Sequence, residues 1–152
     1  MARAVSPVVG VVAVIGITVL LATTVGLIAT ATPETPAPVA TFEVTVEGDA
    51  DRISLTHRGG DRLTVEELRI TVVVNGEPLA FQPPVPFFAA RGFAPGPTGP
   101  LNVASDGDWQ AGETGTFELA GTNHPRPSPG DTVTVTIATE TAVVDEVETT
   151  TR

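Results

Sequence analysis

The pattern of hydrophobic and polar residues divides the chain into two parts with different periods. From Val5 an apolar run of Val, Ile, Leu, Gly, Ala and Thr reaches Thr32, and no formal charge lies between Arg3 and Glu34. This run is longer than the roughly 20 apolar residues that cross a bilayer core. The pattern therefore predicts one long N-terminal hydrophobic α-helix, membrane-spanning, over residues 4–32.

After a Pro-rich linker over residues 33–40, the pattern changes to strict alternation. In residues 42–47 apolar side chains alternate with polar ones, which is typical of a half-buried strand. Asn75-Gly76 is a strong hairpin signal, because both residues accept a positive φ. The same alternation recurs in 52–56, 68–74, 116–119, 132–137 and 142–147. Seven or eight short strands predict an all-β antiparallel sandwich, immunoglobulin-like, over residues 41–152.

The alternation lapses between Gln82 and Gly112, where prolines and glycines are frequent. Loops of this length are usually functional or mobile. Phe87, Phe88 and Phe93 lie inside this segment and are apolar enough to require cover. We therefore treat the segment as a candidate contact surface.

Composition restricts the partners and the chemistry. The chain has 18 acidic and eight basic residues, no lysine and no cysteine. Setting Arg3 apart leaves seven basic residues against 18 acidic ones, so the net charge after the apolar run is −11. Such a surface repels nucleic acid, which we exclude as a partner. Acidic, lysine-free surfaces are similar to those of proteins from salt-loving archaea, where salt screens the self-repulsion.

The first residues of the chain resemble a known family. The stretch Arg3-Ala4-Val5-Ser6-Pro7-Val8-Val9-Gly10 is similar to the start of archaeal type IV pilins, and to the haloarchaeal ones in particular. The resemblance implies that a membrane-embedded prepilin peptidase removes the leader 1–3 by cutting between Arg3 and Ala4. It also implies that other pilin subunits are partners. Val8 stands where bacterial type IV pilins have a glutamate, which places the chain with the archaeal proteins.

Small residues recur along the apolar run at regular intervals. The four-residue series is Thr18, Ala22, Gly26 and Thr30, and the three-residue series is Gly10, Ala13 and Gly16. Small residues at these spacings let helices approach closely in apolar surroundings. The alternative is an ordinary transmembrane composition, in which threonine hydroxyls bond back to the carbonyl four residues earlier.

Two other interpretations of the apolar run remain open. Ala29-Thr30-Ala31 could serve as the cleavage site of a secretory signal, although the run is longer than a usual signal core. The run could also be an uncleaved anchor. Whether the run is a pilin helix or an uncleaved anchor, Arg3 stays in the cytoplasm. The lipid bilayer is then a partner of the helix, and residues 41–152 lie outside the cell, in a single-pass protein or an extracellular pilus.

Candidates for catalysis are few. His57 and His124 are the only histidines, and we predict both to be surface turn residues. Asp106 and Asp108 have the opening spacing of a calcium loop, but Ala111 replaces its glycine and Phe117 its final glutamate. We therefore expect no metal site, no cofactor and no enzymatic activity.

Two classes of function are compatible with these features of the sequence. The first is a pilin-like structural subunit, held in the membrane before assembly and packed by its N-terminal helix into a surface filament for adhesion or surface assembly. The second is a membrane-anchored extracellular binding domain that does not polymerise. Leader cleavage is required for a mature product only in the first class.

Overall fold

The structure is a computed structural model that divides into two compact units, Met1–Pro36 and Ala37–Arg152. It describes the backbone of residues 5–29 and 36–152, and the side chains of residues 7–23 and 36–152. The predicted leader 1–3 and residues 33–35 of the predicted linker lie outside the described residues, whereas residues 36–39 have no regular secondary structure and Ala40 begins the first strand. We call residues 37–152 the β domain.

The first unit contains helix α1, Val5–Ala29. Within the described residues, no helix combines the length and the apolar character required to cross a membrane. The prediction of a long membrane-spanning helix over 4–32 is therefore wrong for the part of the chain that the structure describes. Residues 7–23, the part of α1 whose side chains are described, rise about 25 Å at 1.5 Å per residue, against a hydrocarbon core of about 30 Å.

The second unit is built from antiparallel strands. The strands are β1 Ala40–Glu47, β2 Arg52–Gly60, β3 Leu63–Thr64, β4 Arg69–Val74, β5 Glu77–Pro78, β6 Asp108–Trp109, β7 Thr114–Glu118, β8 Thr132–Ala138 and β9 Val143–Thr150. Single 3₁₀ turns lie at Gly48–Ala50, Val65–Glu67 and Gly99–Leu101. Three strands pair in the order β1-β2-β7, four in the order β5-β4-β8-β9, and β3 pairs with β6.

The two larger sheets share one hydrophobic core. Alternate residues of each strand are buried because their side chains point to the same side of the sheet. The buried residues from the first sheet are Phe42, Val44, Val46, Ile53, Leu55 and Phe117, and those from the second are Ile70, Val72, Val74, Val133, Val135 and Ile137. Two antiparallel sheets around one core are compatible with the sandwich part of the predicted fold.

One edge joins the two sheets through the end of the chain. The amide of Arg152 donates to the carbonyl of Val46 at 3.0 Å, and the amide of Gly48 donates to the carbonyl of Arg152 at 3.0 Å. The side chain of Asp145 on β9 accepts from the amide of Phe42 on β1 at 2.7 Å. β1 and β9 therefore lie side by side, and Arg152 is hydrogen-bonded into the fold.

The opposite edge, at β7, is covered by the long loop. The amide of Ala94 donates to the carbonyl of Glu118 at 2.9 Å, and Thr98 and Thr116 exchange backbone hydrogen bonds of 2.8 and 3.3 Å. These bonds satisfy backbone groups that an edge strand would otherwise expose. The loop is thus an ordered layer against β7.

Several local predictions hold, and one is wrong. Asn75 and Gly76 have φ values of 50° and 82°, as the predicted hairpin requires. The sequence predicts His57 in a surface turn, but the residue lies inside β2 and is fully buried. It occupies the inward position after Ile53 and Leu55, so the alternation of the strand decides its burial. His124 is exposed, as predicted.

Candidate functional site: the helix and the loop face

The residues of the predicted processing site are only partly described. Arg3 and Ala4, which flank the predicted cut, lie outside the described residues. The backbone of α1 begins at Val5. The remaining motif positions, Pro7, Val8, Val9 and Gly10, lie in the helix and are exposed.

The four-residue packing series is placed in part. Thr18 and Ala22 lie on α1 about 40° apart around the helix axis, at 100° per residue. Gly26 lies within the backbone of α1, and Thr30 is outside the described residues. The Thr18 hydroxyl donates to the carbonyl of Val14 at 2.7 Å. This is the back-bonding that the alternative interpretation describes, so the proton of the Thr18 hydroxyl is already used within the helix.

The described surface of α1 offers no unsatisfied polar side chain. Thr18 and Thr23 are the polar residues between positions 7 and 23. The Thr23 hydroxyl donates to the carbonyls of Val19 and Leu20 at 3.0 and 2.9 Å. Every side chain in this range is exposed, including those of all the valines, isoleucines and leucines. The helix is therefore apolar on all sides.

A second surface is formed by two segments of the long loop that run parallel. Phe87 pairs with Asn102: the Phe87 amide donates to the carbonyl of Leu101 at 2.9 Å, and the Val103 amide donates to the carbonyl of Phe87 at 3.2 Å. Phe87 points inward and is buried against Phe93, with ring centroids 5.5 Å apart. Because neighbouring residues point to opposite sides, the next pair, Phe88 and Val103, points outward.

Phe88 and Val103 are 60% and 59% exposed. Their backbones are close, because the Val103 amide donates to the carbonyl of Phe87, the residue before Phe88. Arg91 follows three residues after Phe88, and its guanidinium lies over the ring of Phe81, 4.5 Å from the centroid. No ion pair involves Arg91 among the residues that the structure describes. We call the surface formed by Phe88, Arg91 and Val103 the loop face.

The outer side of the first sheet is polar and internally paired. Arg52 bridges Glu118 and Glu47 at 3.0 and 3.1 Å, and the hydrogen bond to Glu118 is the main cause of its raised pKa. Ser54 and Thr116 share a hydrogen bond of 3.0 Å. Cross-strand pairs of this kind stabilise a solvent-facing sheet, so this side is suited to water.

The other residues that the sequence suggested for catalysis or metal binding do not lie together in one site. His57 is buried in the core, whereas His124 is exposed. Asp108 pairs with Arg62 at 3.3 Å, and its amide donates to the side chain of Asp106. Over the described ranges, no cluster of three or more potential metal ligands occurs.

Sequence reasoning identified the loop but did not resolve the loop face within it. A signal was present, because Arg91 is the only formal charge between Glu77 and Asp106 in an otherwise acidic chain. The parallel pairing of Phe87 with Asn102 is what separates the buried phenylalanine from the exposed one, and that pairing has no local sequence signature.

Comparison with protein families and curated proteins found no relative of this chain. No protein-family model matches the chain, and no curated protein matches it. The resemblance of the first residues to archaeal type IV pilins therefore has no support from these comparisons, and function must be argued from the helix and the loop face.

Proposed function

We propose that this chain is a pilin-like structural subunit whose N-terminal helix packs against the helices of other subunits to form the core of a surface filament. The observation that carries the proposal is the surface of α1, which is exposed at every described position from 7 to 23 and apolar except at Thr18 and Thr23, whose hydroxyls donate back to the helix. A helix that is hydrophobic all round requires apolar surroundings on every side. Copies of the same helix would supply them in a filament core.

The β domain is suited to the outside of such a filament. It forms a compact unit with its own core, and its first sheet presents paired polar side chains outward. The strongly acidic composition keeps neighbouring domains soluble. A structural role needs no catalytic site in this domain.

Processing by a prepilin peptidase between Arg3 and Ala4 is part of the proposal, on the resemblance of residues 3–10. We expect the mature chain to begin at Ala4 in a host that contains the peptidase. Mass spectrometry of the N-terminus checks this directly. A mature N-terminus near Thr32 would support a secretory signal instead.

The packing role can be tested at Gly16. A Cβ atom at this position meets no atom within 4 Å, so Gly16→Leu introduces no clash within the subunit. Leucine is also a better helix former than glycine by about 0.5–1 kcal/mol. In a packed core, however, the larger side chain collides with a neighbouring helix, so we expect filaments to be lost while the chain remains folded.

The matched control is Ile17→Leu, which conserves volume at the next position along α1. Electron microscopy of cells that express each full-length variant counts filaments, and immunodetection measures the amount of subunit. We expect normal filaments from Ile17→Leu and none from Gly16→Leu at equal subunit levels. Normal filaments from both variants would contradict the packing role, and a protein that never polymerises would form none in any case.

A further inference from the structure

We infer that the loop face of one copy docks on the outer side of strand β9 in the next copy, which links neighbouring β domains head to tail. This inference deepens the proposed function and rests on it. It follows from the location, the charge and the apolar character of the two surfaces. The loop face supplies Phe88, Arg91 and Val103, and the β9 face supplies Val143, Glu146 and Glu148.

The β9 face follows from the register of the second sheet. Val143 pairs with Ala138, Glu146 with Thr136, and Glu148 with Thr134. These positions of β8 alternate with the buried residues Val133, Val135 and Ile137, so they point away from the core. Their partners on β9 are exposed on the same outer side, and Val143 is 62% exposed.

The two faces are complementary in charge. Arg91 is an exposed guanidinium in a stretch without acidic residues, and it has no ion pair in the described part of the chain. Its position over Phe81 orders the side chain before any partner arrives. Glu146 and Glu148 are exposed carboxylates two residues apart on one strand. Contact between the faces therefore brings opposite charges together in a protein whose copies otherwise repel one another.

The two faces also match in apolar character. Outside α1, the exposed large hydrophobic residues of the described chain are Val39, Phe88, Val103 and Val143. Two of the four lie on the loop face, and one lies on the β9 face. Phenylalanine and arginine are both enriched at protein interfaces relative to the rest of the surface.

The faces lie at different edges of the domain. The loop covers the edge at β7, whereas β9 lies beside β1 at the other edge. A contact between two different surfaces is heterologous, so it builds a ring where the rotation closes and an open chain where it does not. The open chain is the geometry of a filament, and the charge complementarity of the two faces makes a second copy of this chain the occupant of the loop face.

Cysteine cross-linking tests the contact, because the chain contains no cysteine of its own. We expect full-length Val103→Cys/Val143→Cys to form a ladder of disulfide-linked multimers under mild oxidation. Either single variant should give no ladder. The matched control is Val103→Cys/Glu77→Cys. Glu77 is exposed on β5, which is the edge strand opposite β9 in the four-stranded sheet. We expect no ladder from this control variant.

Charge exchange provides an independent readout. At moderate salt, Arg91→Glu and Glu148→Arg should each raise the subunit concentration needed for assembly, on the order of tenfold. The double variant restores the opposite pair and should recover most of this loss. All these positions are exposed, so folding is expected to survive, and the fluorescence of the single tryptophan checks that it does.

The outcomes separate this inference from the proposed function. A ladder from Val103→Cys/Val143→Cys, with rescue by the double charge variant, supports the contact even if no filament is seen, in which case the filament proposal fails alone. Filaments without the ladder, and with normal assembly of Arg91→Glu, overturn the contact and leave the filament proposal standing. A wild-type chain that does not assemble, together with no ladder from Val103→Cys/Val143→Cys, overturns both.

Discussion

Replacing His57 by leucine is expected to stabilise the β domain. The side chain of His57 is fully buried, and neither ring nitrogen has a hydrogen-bond partner in the structure. A buried polar group without a partner costs about 1–3 kcal/mol, because it has lost its hydrogen bonds to water. Leucine fills a similar volume without any polar atom.

The substitution also removes a favourable contact. The imidazole packs edge-on against Phe42, with ring centroids 5.0 Å apart and planes at 76°. Such an aromatic pair contributes about 0.5–1.5 kcal/mol beyond its buried area. Subtracting this loss leaves an expected net gain of about 1 kcal/mol, or roughly 4 °C in Tm for a domain of this size.

The chain contains a convenient probe for this measurement. Trp109 is its only tryptophan, is fully buried, and packs against the same Phe42 at 4.9 Å. Its fluorescence during denaturant unfolding reports on the core that contains His57. The matched control is His124→Leu, which is exposed and should change stability by less than about 0.5 kcal/mol.

A loss of stability in His57→Leu of about 1 kcal/mol or more would refute this reasoning. It would mean that the ring nitrogens are hydrogen-bonded in solution, for example to a buried water. An equal change in His57→Leu and His124→Leu would also contradict it, because burial would then have no bearing on the effect.

Two further predictions concern a glycine and an aspartate. Gly99→Ala should destabilise the domain by about 2 kcal/mol or more in denaturant unfolding, because a Cβ would lie 2.2 Å from the carbonyl oxygen of Thr114 at a φ of +62°. The control is Gly96→Ala, where φ is +82° and a Cβ meets nothing within 4 Å. This substitution should cost only about 1 kcal/mol. The pKa of Asp131 is lowered, first by the hydrogen bond from the Asn75 side chain and then by that from the Ser128 amide. The ionised carboxylate therefore stabilises the folded domain above the pKa of the unfolded state, and this stabilisation is lost as the pH falls through the pKa of the folded state. Asp131→Asn should therefore melt below wild type at pH 7 and converge with it under strong acid, and a gap that persists at low pH would contradict this.

The strands are predictable where one face of a strand meets the core. β1, β4 and β8 carry an unbroken alternation, since each residue pointing inward has to be apolar. The sequence prediction ends β2 too early, because His57-Arg58-Gly59-Gly60 has the composition of a turn. The structure continues the strand through these residues, which pair with β1 as far as Gly60.

The other departures have a common physical origin in long-range pairing. The loop covers β7 through backbone hydrogen bonds, which leave no periodic trace in the side chains. The last strand runs to Thr150 because β8 offers it partners, although its sequence is polar.

For α1, an apolar composition indicates an apolar environment but does not distinguish lipid from other helices, so composition alone was not sufficient for the transmembrane prediction.

The cover of β7 has a consequence for crowded surroundings. Domains held side by side on one surface meet at effective concentrations far above those of free proteins in solution. An uncovered β7 would then offer its backbone to the next domain as a template, and sheets could fuse into an irreversible aggregate. With this edge closed by the Ala94–Thr98 segment, adjacent domains can touch at β7 only through side chains, so contacts there remain reversible and a misplaced subunit can still be released.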